Sequence, residues 1–185
     1  MQMLTDIHTH TPGRSDAMLS VEPPAVLSRD PMVGDTPFSL SLHPWHITES
    51  SISEFDEALA LCSGSPMLMG IGECGLDSHC TTPLRLQVEA FVYSLAVAQR
   101  LKLMTIIHCV GHWAELQQCV RQVWKNGGAC EAYVQGCPLV IHGFRKGPVL
   151  ARQLVAQGFC LSLGEHFNPE VPGIVPPDRL FRESD

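Results

Sequence analysis

The sequence contains no apolar run long enough to cross a lipid bilayer, and its first residues, MQMLTDIHTH, lack the pattern of a secretory signal peptide. It is also poor in positive charge, because 12 lysines and arginines stand against 19 aspartates and glutamates, giving a formal net charge of −7. These deficits argue against a membrane-spanning protein and against broad, non-specific binding along nucleic acid backbones. They leave room for a small basic pocket that binds a single phosphate.

Cysteine pairs of the C-x-x-C type are absent, although eight cysteines are scattered through the 185 residues. Several of them lie in apolar segments, which is typical of small core residues in a reducing compartment. No repeat, low-complexity tract or linker interrupts the sequence. We therefore expect a single domain spanning residues 1–185, located in the cytoplasm.

Short apolar runs alternate with amphipathic segments along the chain, as strands alternate with helices in α/β proteins. Eight runs are predicted to be strands: Met3–His8, Ala17–Val21, Phe38–Leu42, Met67–Gly72, Leu103–His108, Leu139–His142, Phe159–Leu163 and Leu180–Ser184. Four amphipathic helices are predicted between them: one with a capping box at Ser51 and Glu54, one that follows Pro83, one over Trp113–Asn126 that stops at Gly127 and Gly128, and one over Val149–Gln157.

This alternation favours a parallel sheet, and eight strands suggest a closed (β/α)₈ barrel of the TIM type. Such barrels typically have about 250 residues, so this one is expected to be trimmed. The connection from His10 to Ala17 is too short for a helix, and no helix follows the last predicted strand. Active sites of these barrels lie at the C-terminal ends of the strands.

The most distinctive motif is the H-x-H pair of His8 and His10 at the end of the first predicted strand. Residues two apart in a strand point the same way, so both imidazoles arrive together. Taken alone, the pair is compatible with two histidines that cap a loop. The other strand ends contribute further imidazoles and carboxylates, giving seven candidate ligands on one rim: His8, His10, His43, Glu73, His108, His142 and Asp185. Imidazole and carboxylate without thiolate suit Zn, Mn, Mg or similar divalent ions.

Seven motifs occur in the order and approximate spacing of the TatD-type metal-dependent hydrolases: DIHTH, SLHPWH, GIGECGLD, TIIHCVG, VIHGFRKG, LSLGE and RLFRESD. The chain resembles this family over essentially its whole length. The resemblance implies a barrel similar to that of amidohydrolases and a deoxyribonuclease or phosphodiesterase activity. It also implies two metal sites that share a bridging carboxylate, the first formed by His8, His10, Glu73 and Asp185, and the second by Glu73, His108 and His142.

Three further residues are candidates for contact with substrate. His43, in SLHPWH, is expected to line the substrate pocket, although a histidine hydrogen-bonded at a proline-stiffened turn is an equal alternative. Trp45 is compatible with stacking on a base or with buried anchoring. Arg145 closely follows His142 in HGFRKG and is expected to bind a substrate phosphate.

Nearby positions modify this picture. Cys109 and Val110 stand where the family commonly has Ser-Arg, so one phosphate contact is missing and Arg145 is expected to replace it. Asp77 is interpreted as a loop cap, with the orientation of Glu73 or of a metal ligand as the alternative.

The expected reaction is a two-metal hydrolysis with the ions about 3.5–4 Å apart. The ions would lower the pKa of a water molecule and polarise a phosphoryl oxygen, while Asp185 accepts the proton and Glu73 holds both ions. The acidic composition favours a DNA end or another small phosphate ester over a long duplex as substrate.

Two other functions stay open. An amide or lactone hydrolase of the amidohydrolase type would activate water in the same way. A metal-binding protein with little catalysis is the second, because the ligand Asp185 occupies the last position of the sequence. If this length is natural, a homodimer is expected to cover the last strand.

Overall fold

The computed structural model describes residues 5–30 and 35–185. Within them, eight strands form one sheet: β1 Asp6–Thr9, β2 Ala17–Val21, β3 Phe38–Leu42, β4 Leu68–Asp77, β5 Met104–Val110, β6 Leu139–Ile141, β7 Cys160–Leu163 and β8 Leu180–Arg182. Each strand overlaps a predicted one, although some ends differ and Met3 and Leu4 of the first prediction lie outside the described residues.

The strands lie in sequence order, and each is parallel to the next. A parallel bridge between Thr9 and Ser184 joins β1 to the segment that follows β8, so the sheet nearly closes on itself. The predicted (β/α)₈ barrel is confirmed. As expected from the short first connection, no helix separates β1 from β2.

Six α-helices lie in the connections of the described residues: α1 Pro23–Leu27, α2 Ser51–Cys62, α3 Leu84–Leu101, α4 Trp113–Trp124, α5 Gly128–Val134 and α6 Pro148–Ala156. Short 3₁₀ helices cover Pro44–His46, Lys125–Gly127 and Pro177–Arg179. None of the helices in residues 5–30 and 35–185 combines the length and the apolarity needed to cross a membrane.

Three details of the helices differ from the sequence predictions. The predicted capping box of α2 is wrong, because Ser50 is the N-cap and the Ser51 hydroxyl instead accepts a hydrogen bond from the Thr48 amide at 2.9 Å. Gly128 does not end the helical region but begins α5. The helix α1 has no counterpart among the predictions, because its five residues are too few for a helical period to be detected.

An apolar cluster inside the barrel lies beneath the histidines: Ile7, Met18, Ile106, Val140 and Cys160. Ile106 lies two residues before His108 on β5 and therefore faces the same side of the sheet. Val140 has the same relation to His142, which directly follows β6. The close packing of these apolar side chains beneath the histidines restricts the positions of the imidazole rings.

Candidate metal centre

The central carboxylate of the site comes from β4, which is longer than predicted. The predicted strand ends at Gly72, whereas β4 continues to Asp77 and Glu73 lies within it. Gly72 has a φ of +125° and Gly75 a φ of +147°, and a Cβ on these residues would lie 2.2 and 2.0 Å from carbonyl oxygens of β5. Glycine alone tolerates this backbone and this closeness. The two glycines therefore allow β4 to lie against β5 with Glu73 between them.

One carboxylate oxygen of Glu73 faces three imidazoles. Oε1 lies 2.8 Å from Nδ1 of His108 and 2.8 Å from Nε2 of His142. The same oxygen lies 3.1 Å from Nε2 of His43. His43 follows β3, His108 lies in β5 and His142 follows β6, so the C-terminal parts of three parallel strands bring these imidazoles together.

The other oxygen of Glu73 faces the paired histidines of β1. Oε2 lies 3.4 Å from Nε2 of His8 and 3.6 Å from Nε2 of His10. Oδ1 of Asp185 lies 3.6 and 3.5 Å from the same two nitrogens. These separations are too long for hydrogen bonds. Among the described residues, neither ring nitrogen of the fully buried His8 has a hydrogen-bond partner.

This arrangement of donor atoms fits divalent metal ions. Within residues 5–30 and 35–185, three sets of residues have their donor atoms within 4.8 Å of one another: His8 with His10 and Asp185, His8 with Glu73 and His142, and His43 with Glu73 and His108. A buried histidine with two unpartnered nitrogens is costly unless a further group completes its bonding. Imidazole and carboxylate donors are those expected for Zn, Mn or Mg.

The carboxylates and imidazoles of the site stabilise one another's charged forms. Burial lowers the pKa of His8, but the Asp185 and Glu73 carboxylates more than offset this effect and raise it to about 9. Burial alone would raise the pKa of Glu73, yet the surrounding imidazoles hold it well below its usual range. The contact with His8 lowers the pKa of Asp185 to about 2. Both carboxylates therefore stay ionised, as ligands of a cation must.

Asp77, at the end of β4, holds His108 from the side opposite Glu73. Its Oδ2 lies 2.8 Å from Nε2 of His108 and accepts a hydrogen bond from the indole N–H of Trp45 at 2.7 Å. Its Oδ1 accepts a hydrogen bond from the backbone N–H of His79 at 2.7 Å. Burial opposes ionisation of Asp77, but these partners lower its pKa. Asp77 thus contacts both the following loop and a candidate ligand, and this geometry is compatible with both interpretations of the residue.

His43 and Trp45 lie at the turn that follows β3. Nδ1 of His43 accepts a hydrogen bond from the backbone N–H of Trp45 at 3.2 Å. The Trp45 side chain is not a buried anchor, because the residue is 54% exposed and only its N–H is bonded to Asp77. His46 is exposed, and its ring contacts Glu22.

Arg145 lies on an exposed loop after β6. Together with Trp113 and Lys146 it lines a cavity of about 270 Å³ that reaches His142 and Asp185. A larger cavity of about 340 Å³ lies by α4 and α5, away from the clustered histidines. The chemistry of the lining, rather than volume, makes the smaller cavity the candidate substrate pocket.

Cys109 and Val110 line this same cavity. Burial, together with the nearby charges of Asp77 and Glu115, raises the pKa of the Cys109 thiol well above its usual range. The thiol therefore contributes an uncharged group to the cavity lining and cannot replace a phosphate-binding arginine. Arg145 faces the cavity from another side, as its predicted role requires.

Glu183 is a buried carboxylate that the sequence motifs do not single out. Its Oε1 accepts a hydrogen bond from the Gly143 amide at 2.6 Å, and its Oε2 lies 3.9 Å from Nδ1 of His142. Within the described residues, Oε2 of Glu183 and Nδ1 of His142 are both buried without a hydrogen-bond partner. The signal that could have found Glu183 is its position two residues before Asp185, the same spacing that pairs His8 with His10.

The β1–β2 loop makes a second unpredicted contribution through Arg14. Its Nη1 donates hydrogen bonds to Oδ2 of Asp6 and to the hydroxyl of Ser184, both at 2.7 Å. Thr9 donates from its hydroxyl to the carbonyl oxygen of Ser184 at 3.1 Å. These contacts fix the residue directly before Asp185 onto β1. Sequence reasoning had no signal for them, because their partners lie at opposite ends of the sequence.

The chain matches the family described as TatD related DNase over residues 33–185. The match begins after β1, so it contains Glu73 and Asp185 but not His8 or His10. The 3′-5′ ssDNA/RNA exonuclease TatD of Erwinia amylovora is 28% identical in an alignment of 155 residues that covers 78% of this chain and 55% of that protein. The chain thus spans little more than half the length of this curated relative.

Two solved structures share the fold. YjjV, a TatD homologue from Escherichia coli K12, gives a TM-score of 0.71 at 20% identity, covering 94% of this chain and 68% of that one. A TatD family hydrolase from Entamoeba histolytica gives a TM-score of 0.64 at 19% identity, covering 91% and 60%. Because the family match extends over most of the sequence, from residue 33 to residue 185, the chain belongs to the TatD related DNase family.

Proposed function

We propose that this protein is a metal-dependent hydrolase of phosphodiesters that acts on the end of a DNA strand or on a small phosphate ester. The observation that carries the proposal is the position of the Glu73 carboxylate. Oε1 contacts His108 and His142 at 2.8 Å, while Oε2 faces His8 and His10 at 3.4 and 3.6 Å. A carboxylate with one oxygen toward each histidine group is what a bridging ligand requires.

Because the two oxygens of Glu73 face different groups of histidines, the residues that would hold two divalent ions fall into two sets. The first set is His8, His10, Glu73 and Asp185, and the second is Glu73, His108 and His142. When bound, the ions would supply Lewis acidity and lower the pKa of a water molecule toward neutrality. The donor types are compatible with Zn, Mn and Mg.

Asp185 is the proposed proton acceptor of the reaction. Its side chain is 30% exposed, whereas that of Glu73 is 5% exposed, so Asp185 can reach solvent and the pocket together. The same residue lines the cavity of about 270 Å³. A carboxylate in this position can take a proton from an attacking water and pass it to bulk solvent.

Arg145 and Lys146 are proposed to bind the substrate phosphate. Both line the cavity, where a planar guanidinium can donate two parallel hydrogen bonds to phosphate oxygens. The exposed indole of Trp45 offers a face on which a terminal base can stack. The cavity is too small for a duplex, and the net charge of −7 disfavours long backbone tracks, which supports a strand end as the substrate.

The deciding experiment is an activity screen after metal removal and reconstitution with Zn, Mn or Mg. Single-stranded DNA, a synthetic phosphodiester, a phosphomonoester and a cyclic amide are compared for each metal. We expect phosphodiester hydrolysis, and we expect Glu73→Ala to abolish it together with binding of both ions. The matched control is Glu49→Ala, whose carboxylate lies on the surface in an ion pair with Arg85. Hydrolysis of the cyclic amide alone would instead support an amidohydrolase, and failure to bind any metal would contradict the proposal.

A further inference from the structure

The cavity of about 270 Å³ beside the metal centre has an apolar side that the proposed reaction does not use. The proposed function assigns roles to its metal ligands, to Asp185 and to the cations Arg145 and Lys146. The remaining lining residues with larger side chains carry neither a charge nor a strongly polar group: Cys109, Val110, Trp113, Ile141 and Phe144. Such a lining matches a part of the ligand that is itself uncharged and apolar.

Much of the apolar side comes from the end of β5 and from the turn that leads into α4. Val110 is the last residue of β5, and Trp113 is the first residue of α4. The amide of Ser78, which follows β4, donates a hydrogen bond to the carbonyl oxygen of Val110 at 2.9 Å. Gly111 has a φ of +72°, and a Cβ there would lie 2.7 Å from the Ser78 hydroxyl oxygen. The turn therefore lies tightly against the end of β4, which fixes the point where α4 begins.

Trp113 is the residue of this side that is best suited to bind a ring. It is partly buried and packs against the apolar cluster that includes Leu116. A large aromatic side chain held in this way offers contact area at a low cost in conformational entropy. Phe144 is only 2% exposed and so contributes little accessible surface. Trp45 is not among the described residues that line the cavity, so its exposed indole is a separate face outside it.

The cationic residues of the cavity come from the neighbouring connection. Arg145 and Lys146 lie on the exposed loop after β6, which pairs with β5 in the sheet. A phosphate held by Arg145 beside His142 would therefore have the Trp113 side next to it. The volume is close to that of the smallest small-molecule sites, about 300 Å³. A ligand that matches the whole lining combines one phosphate with one uncharged, planar ring, as a nucleotide does.

We propose that this cavity binds the base of a nucleotide next to the reacting phosphate, with Trp113 stacking on the base and Arg145 binding the phosphate. The inference rests on the proposed phosphodiesterase function for the identity of that phosphate. It narrows the substrate class, because a phosphate ester without a planar ring would leave the apolar side of the cavity in contact with water. Every base has a π-face, so stacking on Trp113 selects nucleotides without selecting a base sequence.

The first test compares the binding of dAMP with that of deoxyribose 5-phosphate, which lacks the base, by calorimetric titration. Neither ligand contains a phosphodiester bond, and the titrations are run with and without Mn²⁺, so the comparison does not depend on phosphodiester hydrolysis. Base stacking on an aromatic side chain leads us to expect about tenfold tighter binding of dAMP. Equal affinities, or no binding of dAMP, would overturn the inference.

The second test assigns the base to one tryptophan. We expect Trp113→Leu to lose the preference for dAMP and Trp113→Phe to keep most of it, because phenylalanine retains an aromatic face. Gln118→Ala is the matched control, since Gln118 is exposed on the same helix. Loss of the preference in Trp45→Leu with retention in Trp113→Leu would overturn the inference.

A fluorescence measurement keeps the second test decisive if Trp113→Leu does not fold. We expect dAMP to quench the tryptophan emission of the unchanged protein, and we expect this quenching to disappear in Trp113→Phe. Quenching of the same size in Trp113→Phe would place the base elsewhere and would overturn the inference.

The third test is hydrolysis of a dinucleotide at full metal occupancy. Stacking that is equally strong in the ground state and the transition state affects KM rather than kcat. We therefore expect Trp113→Leu to raise KM about tenfold with kcat little changed, and an unchanged KM would overturn the inference. If the unchanged protein hydrolyses no phosphodiester with any metal, the proposed function fails, whereas equal binding of dAMP and deoxyribose 5-phosphate refutes the inference alone.

Discussion

Arg14 donates a hydrogen bond from Nη1 to the Ser184 hydroxyl at 2.7 Å, across a sequence separation of 170 residues. The guanidinium also bonds Asp6 at 2.7 Å and Asp16 at 2.9 Å. The residue that follows Ser184 is the candidate ligand Asp185. The β1–β2 loop, which is too short for a helix, thus holds in place a carboxylate of the proposed first metal site.

Replacement of Arg14 by alanine is expected to weaken the first ion selectively. Without the guanidinium, Ser184 loses a partner and Asp185 becomes less ordered, so the affinity of the first ion should fall by about tenfold, while the second ion is unaffected. Calorimetric titration with Mn²⁺ would resolve the two steps. Arg85→Ala is the matched control, because Arg85 pairs with Glu49 on the surface. Equal weakening of both ions would refute a selective role for Arg14.

Replacement of Asp77 by asparagine is expected to weaken the second ion instead. The carboxylate contacts Nε2 of His108 at 2.8 Å, and an amide in its place would fix the ring less well and lower its basicity. Losses of outer partners of this kind typically cost about 10- to 100-fold in metal affinity. The same titration measures the effect, and Trp45→Phe separates it from loss of the indole hydrogen bond to Asp77. An unaltered second step would mean that Asp77 acts only as the loop cap.

Replacement of Gly75 by alanine is expected to destabilise the fold by about 3 kcal/mol or more. The residue has a φ of +147°, and an added Cβ would lie 2.0 Å from the carbonyl oxygen of His108. Chemical denaturation monitored by tryptophan fluorescence gives the free energy of unfolding. Gly64→Ala serves as the control, since no atom lies within 4 Å of the position of its Cβ. Similar stabilities of the two variants would argue against the close approach of β4 and β5.

The stability of the chelator-treated protein is expected to fall as the pH rises through about 9. The pKa of His8 is raised from 6.5 to about 9 by Asp185 and Glu73, against the effect of burial. Stability from a raised pKa is fully present below pH 6.5 and is lost as the pH passes the folded-state value. Thermal unfolding across a pH series tests this expectation.

The His8→Gln variant isolates that effect from the buried cysteines, whose raised pKa values act in the same direction. We expect its stability to depend less steeply on pH between neutrality and pH 10. An equally steep decline in both proteins would assign the pH dependence to the thiols.

The sequence predicted the barrel because its information is local and periodic. Apolar runs such as Phe38–Leu42 and Leu139–Ile141 are buried along their whole length, which is the signature of a parallel strand covered on both faces. Strand ends then placed His108 and His142 on the same rim without knowledge of any contact. The same reasoning ended β4 too early, because glycines such as Gly72 interrupt an apolar pattern while allowing the strand to continue.

The parts of the site that the sequence did not predict depend on contacts between distant residues. In the sequence, Arg14 resembles any solvated loop residue, and only the fold shows that it lies beside Ser184. Glu183 lies within the last predicted strand, and only the fold shows that its buried carboxylate accepts a hydrogen bond from the Gly143 amide. The hydrogen bond that Nδ1 of His43 accepts from the Trp45 amide requires the geometry of the turn.

The bridge between Thr9 and Ser184 joins residues 175 positions apart, and the candidate ligands His8, His10 and Asp185 span the same junction. Bringing together positions so far apart in sequence costs more conformational entropy than closing a short loop does. An ion bound by these three side chains would hold β1 against the segment that follows β8 and so help to close the barrel. Removal of the ion would weaken the contact between β1 and the segment after β8 first, so metal affinity and barrel closure would report the same equilibrium.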